Sequence, residues 1–286
     1  MSAGPRIGWI GLGSMGSRMA PNLVNNGYGV TGFDLDRGRT AAAVAHGLKE
    51  AASLPALATA SDVLFSMIPN DEAFFDVVRM ICGAAEAGTC LIDMSTISPA
   101  VSTRGAALLE AAGISYLRAP VSGSTALAAA GTLSIWVSGP ESIFTSQRPL
   151  IALLGKKITY LGAHEEARVM KLVVNVIVGA INTSLAEALN LGRRSGLDWA
   201  MMIDAINESA VASPYIASKV QKLKDRDWSP AATVEVIAKD MDLALELARQ
   251  RGAFLPSAAL TRQVLAAVEG KGHGQLDMSC IATFFE

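Results

Sequence analysis

The sequence predicts an α/β domain with a mostly parallel sheet, followed by an all-α domain. Over about the first 160 residues, short runs rich in Val, Ile and aromatic residues alternate with helical segments, which is typical of a parallel sheet covered on both faces. Strand patterns stop after Gly162, and only helical patterns follow. A chain of 286 residues is long enough for two domains. We predict one domain over residues 1–163 and a second over residues 164–286.

Gly, Asp, Ser and Pro residues mark the ends of the predicted elements in the first domain. One of its helical segments begins with Ser98-Pro99, an N-cap followed by proline, and ends at Gly113. The predicted strands are 6–10, 29–33, 62–68, 90–94, 114–120, 133–139 and 157–162, and two clear helices are 16–27 and 98–113.

The second domain begins with a long helical pattern over 165–194 that contains no proline. Glycines and prolines separate the helical segments that follow. Those segments are 196–210, 214–225, 234–252, 256–270 and 276–285.

Composition argues against several classes of function. The formal net charge is −2 without a block of like charges, so neither a nucleic-acid surface nor a polybasic membrane anchor is expected. The three cysteines and three histidines lack the close spacing of a metal site, so no metal is expected and a reducing, cytoplasmic location is favoured. The N-terminal apolar run is too short for a signal peptide, and no stretch of about 18 apolar residues lacks a charge, so no transmembrane helix is expected.

A glycine motif, Gly11-x-Gly13-x-x-Gly16, follows the first predicted strand and opens a helix. Gly11 allows a tight turn, Gly13 allows close approach of a pyrophosphate, and Gly16 allows close packing of helix and strand. These glycines could serve only as a turn, but the next strand ends in Asp34, 23 positions after Gly11, where a carboxylate would bind ribose hydroxyls. The motif predicts a Rossmann-type dinucleotide site that includes Leu12, Ser14 and Met15.

Asp34 also bears on the choice between the two nicotinamide cofactors. A carboxylate there accepts hydrogen bonds from the adenosine ribose and repels a 2′-phosphate, which favours NAD over NADP. Arg37 could soften this preference by pairing with a phosphate. Asp34 could alternatively be an ordinary polar residue that closes a strand.

Two further strand ends carry small or polar residues and a proline, in "FSMIPN" (65–70) and "DMSTISP" (93–99). Ligands of doubly wound sheets bind beyond the carboxyl ends of strands, so both loops are candidates for the cofactor site. Each could instead be a helix-entry loop, for which Ser98-Pro99 is well suited. The candidate cofactor residues in these loops are Met67, Ile68, Pro69 and Thr96.

The long helix carries a polar stripe in an otherwise apolar stretch. Lys171, Asn175 and Asn182 lie within about 40° of one another at roughly 100° per residue, and Arg168 and Arg193 fall near the same side. The stripe could face water, with Lys171 extending along its stem. Because a dinucleotide domain precedes the helix, we expect the stripe to face the interdomain cleft.

Five ordered segments resemble the β-hydroxyacid dehydrogenase family, which includes 3-hydroxyisobutyrate dehydrogenase and tartronate semialdehyde reductase. The resemblance covers nearly the whole chain and implies hydride transfer between NAD or NADP and a small β-hydroxyacid or its semialdehyde. It also implies a homodimer or homotetramer. The segments are "GLGSMGSRMAPNL", "DMSTISP", "APVSGSTALAAAGTLSIWVSG", "KLVVNVIVGAINTSLAEALNLGRRSGLD" and "KDMDLALELA".

The resemblance implies a role for each matching residue. Lys171 matches the catalytic lysine, and Asn175 matches the amide beside it. Ser122 and Gly123 match the loop that holds the substrate carboxylate. Cofactor contacts are implied for Thr96, near the nicotinamide ribose, and for Lys239, from the helical domain. Thr96 is also a candidate for binding the substrate.

Three positions depart from the family pattern. Ser124 stands where the family commonly has glycine, so we expect the carboxylate loop to be altered. Ser124 is itself a candidate substrate-binding residue. An aromatic residue usual in the segment before Lys239 is replaced within 229–236, which would reshape the pocket. Asp34 differs from the Asn-Arg pair of NADP-preferring members and supports NAD.

In this reading Lys171 donates a proton to the developing alkoxide in reduction, or accepts one from the hydroxyl in oxidation. A free lysine titrates near 10.4, and lowering its pKa to ~7.5 requires about 4 kcal/mol of differential interaction. The apolar side chains of Val174 and Val178 and a positive nicotinamide ring would both act in that direction. Asn175 would orient the reacting oxygen without adding charge.

Two other functions stay open at this point. An imine reductase has a similar fold, but those enzymes typically carry Asp or Tyr where Lys171 stands. A non-catalytic dehydrogenase-like module typically lacks the lysine and carries extra domains. The resemblance leaves the substrate open among 3-hydroxyisobutyrate, glycerate or tartronate semialdehyde, serine-like and sulfonated compounds, and it leaves the physiological direction open as well.

Overall fold

The computed structural model describes residues 4–285, and its contacts divide the chain into two compact units between Lys171 and Leu172. The first unit contains the sheet and the second is helical. This confirms the predicted fold class. By their contacts, the first residues of the long helix, up to Lys171, belong to the first unit. The predicted domain boundary between residues 163 and 164 stays a prediction.

Within residues 4–285 the sheet has nine strands in the order β3-β2-β1-β4-β5-β6-β8-β7, with β9 paired to β8. The pairs from β3 through to β6 are parallel, as is β8 with β9, whereas β6 and β7 pair antiparallel to β8. The strands are β1 (Ile7–Ile10), β2 (Val30–Phe33), β3 (Lys49–Glu50), β4 (Val63–Ser66), β5 (Cys90–Asp93), β6 (Ser115–Arg118), β7 (Val121–Ser122), β8 (Leu133–Ser138) and β9 (Gly155–Gly162).

Helices cover both faces of this sheet because neighbouring strand residues point to opposite faces. Trp9 and Phe65 belong to one buried cluster, while Ile10 and Leu64, beside them in sequence, belong to another. The helices of the first unit are α1 (Gly16–Asn25), α2 (Arg37–Val44), α3 (Leu54–Thr59), α4 (Asp71–Cys82), α5 (Pro99–Ala111), α6 (Thr125–Ala129) and α7 (Glu141–Ile151).

The long helix α8 (Glu166–Arg194) begins in the first unit and ends in the second. Among residues 4–285 it is the helix long and apolar enough to cross a membrane, and a third of its most apolar window (33%) is buried. The core helix of a soluble protein meets the same criterion, so this property alone places no membrane.

The second unit continues with helices that follow the predicted segments closely, except at 276–285, where a 3₁₀ turn (Met278–Cys280) precedes a helix of four residues (Ile281–Phe284), and at 214–225. There the prediction of a single helix was wrong. The Lys219 N–H bonds the Ile216 carbonyl three residues back, and this tighter turn ends one helix before the next begins. The elements are α9 (Trp199–Asn207), α10 (Pro214–Ala217), α11 (Val220–Asp225), α12 (Val234–Arg251), α13 (Pro256–Gly270), a 3₁₀ turn (Met278–Cys280) and α14 (Ile281–Phe284).

A buried ion pair lies at the break. The Lys219 ammonium lies 2.9 Å from a carboxylate oxygen of Asp277, whose residue surface is 0% exposed. Asp277 also accepts hydrogen bonds from the Ser279 N–H and hydroxyl. Burial acts to raise the pKa of Asp277, but Lys219 and Ser279 outweigh it and lower the pKa to about 2. The side chain of Lys219 is therefore committed to the C-terminal segment.

Candidate functional site

The strand order reverses at β1, so the loops that follow β1 and β4 lie side by side at the carboxyl edge of the sheet. Gly11, in the first loop, has φ +88°, and a Cβ there would lie 2.3 Å from the Met67 carbonyl oxygen of the second loop. Glycine is therefore required at position 11 for its conformation and for this close approach. Two candidate cofactor loops thus meet at the topological switch point.

The other two motif glycines serve different purposes. A Cβ on Gly16 would lie 2.0 Å from the Gly11 carbonyl oxygen, so Gly16 is needed for packing of helix against turn. A Cβ on Gly13 would meet only the Arg39 Nη1 atom, at 3.9 Å. The space above Gly13 is open, and backbone N–H groups border it at the start of α1. This cradle fits the pyrophosphate of NAD or NADP.

The remaining residues of this loop divide between core and surface. Leu12 is buried and Met15 packs against the same core cluster, so either residue would meet a cofactor mainly through its backbone. Ser14 is exposed, and its carbonyl accepts a hydrogen bond from Arg18 at 2.7 Å.

Asp34 lies at the end of β2 with its carboxylate aimed back at the glycine loop. One oxygen accepts from the Leu12 N–H at 2.7 Å and the other from the Asp36 N–H at 2.9 Å. Arg39 Nη1 lies 3.8 Å from Asp34 Oδ1. The structure therefore places Arg39, two residues beyond the Arg37 singled out in the sequence, beside the predicted ribose site.

A buried network joins the loops after β4 and β5. Asp93 Oδ1 accepts from the Ser66 hydroxyl at 2.5 Å and from the Ser95 hydroxyl at 2.6 Å. The Ile68 N–H in turn donates to the Ser95 oxygen at 2.9 Å. The segment Met67–Pro69 and the half-buried Thr96 are therefore held by one set of hydrogen bonds. The structure brings these predicted cofactor residues together.

Ser98 shows that the capping role of the second loop is also real. Its hydroxyl accepts from the Val101 N–H and so caps α5, and its own N–H and hydroxyl bond the Asp71 carboxylate at 2.8 and 2.6 Å. The seven-residue motif 93–99 therefore both caps α5 and positions the loop after β5.

The predicted carboxylate loop follows β7. Gly123 has φ +143°, and a Cβ there would lie 2.8 Å from Leu133 Cδ2, so this position requires glycine. Ser122 is half-buried, and Gly123 and Ser124 are exposed. The Ser124 hydroxyl accepts from the Leu127 N–H at 3.4 Å as the N-cap of α6. Serine in place of the family's glycine thus begins a helix at this point.

The polar stripe of α8 does not face water. Arg168 is 1% exposed, and Asn175 and Asn182 are each 5% exposed. The Asn182 amide donates to the Tyr215 hydroxyl at 2.6 Å. Lys171, one turn before Asn175, is half-buried. Of the two interpretations that the sequence allowed, the solvent-facing stripe is wrong for these three buried residues.

Asn175 is held by a carboxylate that the sequence did not single out as a site residue. Its amide nitrogen donates to Asp240 Oδ2, and Asp240 Oδ1 lies 2.8 Å from the ammonium of Lys239. Asp240 is only 2% exposed. One buried carboxylate therefore joins the predicted catalytic amide to the predicted cofactor lysine. An acidic residue on the apolar face of α12 was the available signal.

Residues 4–285 contain no group of three or more His, Cys, Asp or Glu side chains that could hold a metal ion. The three cysteines are free thiols, and burial raises the pKa of Cys90 to about 12.

Two family models match consecutive parts of the chain. A model described as the NAD binding domain of 6-phosphogluconate dehydrogenase matches residues 6–162. A model described as "NAD-binding of NADP-dependent 3-hydroxyisobutyrate dehydrogenase" matches residues 166–285. The first alone spans more than half of the chain, and together they confirm NAD or NADP as the cofactor.

Relatives extend over nearly the full length. The chain is 35% identical to 2-(hydroxymethyl)glutarate dehydrogenase of Eubacterium barkeri, with 98% of this chain and 95% of that protein covered. It is 30% identical to 2-hydroxy-3-oxopropionate reductase of Escherichia coli K12, with 98% and 97% covered. A structure of Mycobacterium tuberculosis 3-hydroxyisobutyrate dehydrogenase with L-serine matches with a TM-score of 0.89 at 29% identity, covering 99% of each chain.

The imine-reductase alternative is more distant. A structure of an imine reductase from a Pseudomonas species matches with a TM-score of 0.64 at 20% identity, which shows a shared fold alone. The hydroxyacid and semialdehyde enzymes are nearer in sequence and in structure. The chain thus belongs to the β-hydroxyacid dehydrogenase family, and it is an NAD(P)-dependent oxidoreductase of small hydroxyacids or their semialdehydes.

Proposed function

We propose that the enzyme interconverts a small carboxylate-bearing 3-hydroxyacid and its semialdehyde, with Lys171 as the general acid and base. The observation that carries this proposal is the pair of Lys171 and Asn175, one turn apart in an apolar helix, with the Asn175 amide held by the buried Asp240. Burial of a carboxylate and an amide is unfavourable unless each is hydrogen-bonded, and here the two groups bond each other, so polar contacts and not apolar packing specify their position.

The hydrogen bond to Asp240 fixes which end of the Asn175 amide is available. Because the NH₂ group donates to Asp240, the carbonyl oxygen Oδ1 is left to accept a hydrogen bond from a hydroxyl or an ammonium. Asn175 therefore aligns the reacting oxygen. Lys171 accepts the hydroxyl proton during oxidation and returns a proton to the alkoxide during reduction. Bound NAD(P) supplies the hydride acceptor or donor.

The other candidate residues bind and orient. The loop Ser122–Ser124, in which Gly123 has a positive φ, is proposed to hold the substrate carboxylate. Residues Gly11 to Gly16 and Met67 to Pro69 are proposed to contact the dinucleotide, with Thr96 near the nicotinamide ribose and Lys239 as a further cofactor contact. For the adenosine ribose, the buried carboxylate of Asp34 favours NAD over NADP.

We also propose a cytoplasmic homodimer or homotetramer that binds neither nucleic acid nor membrane. The support is an apolar stripe on α8, where Val173 is 50% exposed, Ile177 55% and Leu191 70%. Their spacing of four and fourteen residues places all three on one face of the helix. A second subunit would bury such a stripe. Light scattering at micromolar concentration tests this, and a monomer that stays monomeric would contradict it.

The activity test is a panel of substrates followed at the absorbance band of the reduced nicotinamide, with NAD and NADP in parallel. The panel contains 3-hydroxyisobutyrate, 2-(hydroxymethyl)glutarate, L-serine, glycerate, tartronate semialdehyde, a sulfonated analogue and a cyclic imine. We expect turnover of at least one hydroxyacid with NAD. Turnover of the imine alone would contradict the proposed reaction.

The role of Lys171 is tested by Lys171→Ala and Lys171→Met. We expect kcat to fall by at least 10²-fold, in line with the loss of a general acid–base, while the Kd of NAD stays unchanged. Lys156→Ala is the matched control, because Lys156 is exposed on β9. Normal turnover by both Lys171 variants would refute the assignment.

A further inference from the structure

Two ion pairs lie at the start of α8 within the first unit, one fully buried and one partly buried. We call residues 165–168 the anchor segment. Glu165 Oε1 accepts from Arg118 Nη2 at 2.6 Å, with side-chain exposures of 15% and 8%. Arg168 pairs with Asp93, and these side chains are 1% and 0% exposed. The two charged side chains of the anchor segment and their two partners are thus largely withdrawn from water.

The guanidinium of Arg168 makes three different hydrogen bonds. Nη2 donates to Asp93 Oδ2 and, at 2.9 Å, to the Tyr116 hydroxyl, while Nη1 donates to the Ser95 carbonyl. Ser95 is the residue before Thr96. Arg168 therefore binds the backbone of the loop after β5, through the Ser95 carbonyl, as well as the carboxylate of Asp93 at the end of that strand.

The Asp93 carboxylate also connects Arg168 to the neighbouring loop after β4. Asp93 Oδ1 holds the Ser66 and Ser95 hydroxyls, and the Ser95 oxygen accepts the Ile68 N–H. Through these bonds the guanidinium is connected to both loops that carry proposed cofactor contacts. Arg168 itself lies three residues before Lys171 on α8, on nearly the same face of the helix.

Stability alone does not explain this arrangement. Replacing a buried ion pair by well-packed apolar side chains is often neutral or stabilising, so the pair is weak support for a purely structural role. A forked guanidinium with its three partners in fixed directions does, however, specify geometry. What it specifies here is the position of the first turn of α8 relative to the loop of Ser95 and Thr96.

We infer that Arg168 is a positioning residue for the hydride-transfer reaction, holding the backbone of Lys171 in register with the cofactor loops. The inference rests on the proposed role of Lys171. A displacement of about 1 Å from the productive geometry lowers rates on the order of 10²-fold. Loss of these hydrogen bonds therefore lowers kcat. The carboxylate loop, which Arg168 does not touch, keeps its affinity for the substrate, and the glycine cradle, which Arg168 also does not touch, keeps most of the affinity for NAD.

The first test is Arg168→Lys, which keeps a buried positive charge for Asp93 but cannot reproduce the three directed bonds. We expect kcat to fall at least tenfold, with the substrate KM within threefold of wild type and the Kd of NAD raised by a smaller factor than that by which kcat falls. The matched control is Glu165→Gln, which weakens the other ion pair of the anchor segment without touching a cofactor loop. It is expected to lower the melting temperature and to leave kcat within twofold.

A double variant, Asp93→Asn with Arg168→Gln, replaces the charged pair by two amides and covers the case in which Arg168→Lys does not fold. We expect it to fold with kcat still reduced at least tenfold. A folded double variant with wild-type kcat would show a merely structural role and overturn the inference. So would a fall in kcat of equal size in Glu165→Gln.

The proposed role of Lys171 and the inference about Arg168 fail in different ways. If Lys171→Ala retains wild-type kcat, the general acid–base assignment fails and the inference with it. If Lys171→Ala is inactive while Arg168→Lys turns over normally, only the inference is refuted.

Discussion

Gly13→Ala separates binding from folding within the glycine motif. Gly13 lies outside the left-handed region of backbone conformation, and the nearest atom to an added Cβ is Arg39 Nη1 at 3.9 Å. The substitution is therefore accommodated by the protein without its cofactor. The added methyl group occupies the space that we assign to the pyrophosphate.

The magnitudes follow from these contacts. An unstrained Gly→Ala replacement raises the free energy of unfolding by about 0.4–1 kcal/mol, because it restricts the unfolded chain. Moving the phosphate away from the backbone N–H groups removes a charge-assisted hydrogen bond, worth roughly 1.5–3 kcal/mol. The Kd of NAD is then expected to rise on the order of 10- to 100-fold. Gly13→Ala thus gains stability and loses affinity.

The assay pairs urea unfolding with calorimetric titration of NAD. Gly16→Ala is the contrasting variant, because its Cβ would lie 2.0 Å from the Gly11 carbonyl oxygen. We expect it to unfold at lower urea concentration, with a loss of about 1–3 kcal/mol. A wild-type Kd for Gly13→Ala would refute the placement of the pyrophosphate, and a large loss of stability would refute the reading of the cradle as open space.

Three further predictions follow. Asp34→Asn removes the carboxylate charge beside Arg39 but keeps a hydrogen-bond acceptor. We therefore expect the ratio of kcat/KM for NADP to kcat/KM for NAD to rise at least tenfold. An unchanged ratio would contradict the role of Asp34. Asp240→Asn weakens the hold on the α8 amide, and steady-state kinetics should show kcat reduced about tenfold with the fold intact by circular dichroism. The folded pKa of Asp277 is about 2 against 3.8 for a free group, so its contribution of about 2 kcal/mol is present above pH 3.8 and is lost as the pH falls towards 2. Urea unfolding at pH 6, 4 and 2.5 should show a loss of stability that is about 2 kcal/mol larger in the wild type than in the double variant Lys219→Met with Asp277→Asn, which keeps the other carboxylates.

The sequence predicted the fold class and the longer elements because hydrophobic period and turn residues report directly on them. Seven of the nine strands coincide with predicted segments, whereas β3 and β7 have two residues each, too few for any alternation to be visible. The single helix predicted at 214–225 failed for another reason. The break falls at Lys219, whose side chain pairs with Asp277, 58 positions later, and no local pattern reports such a partner.

The candidate site shows the same division. Motif spacing indicated the glycines and Asp34, and the family resemblance indicated Lys171, because each proposed role requires that residue type at that position. It did not indicate Asp240, nor that Arg39 rather than Arg37 lies beside Asp34, since both facts depend on which way a helix face turns after folding. Side-chain partners brought together by tertiary structure stay invisible in a single sequence.

The buried ion pairs at the start of α8 also constrain how this chain can recombine with its relatives. A chimera joined at residue 163 would take Glu165 from one parent and Arg118 from the other. Removing one partner of a buried pair costs about 3–5 kcal/mol, a large share of the stability of a typical protein. Exchange of the helical part is therefore expected to succeed only when the crossover falls after Lys171. The first compact unit of the chain thus ends inside a helix and not at a loop.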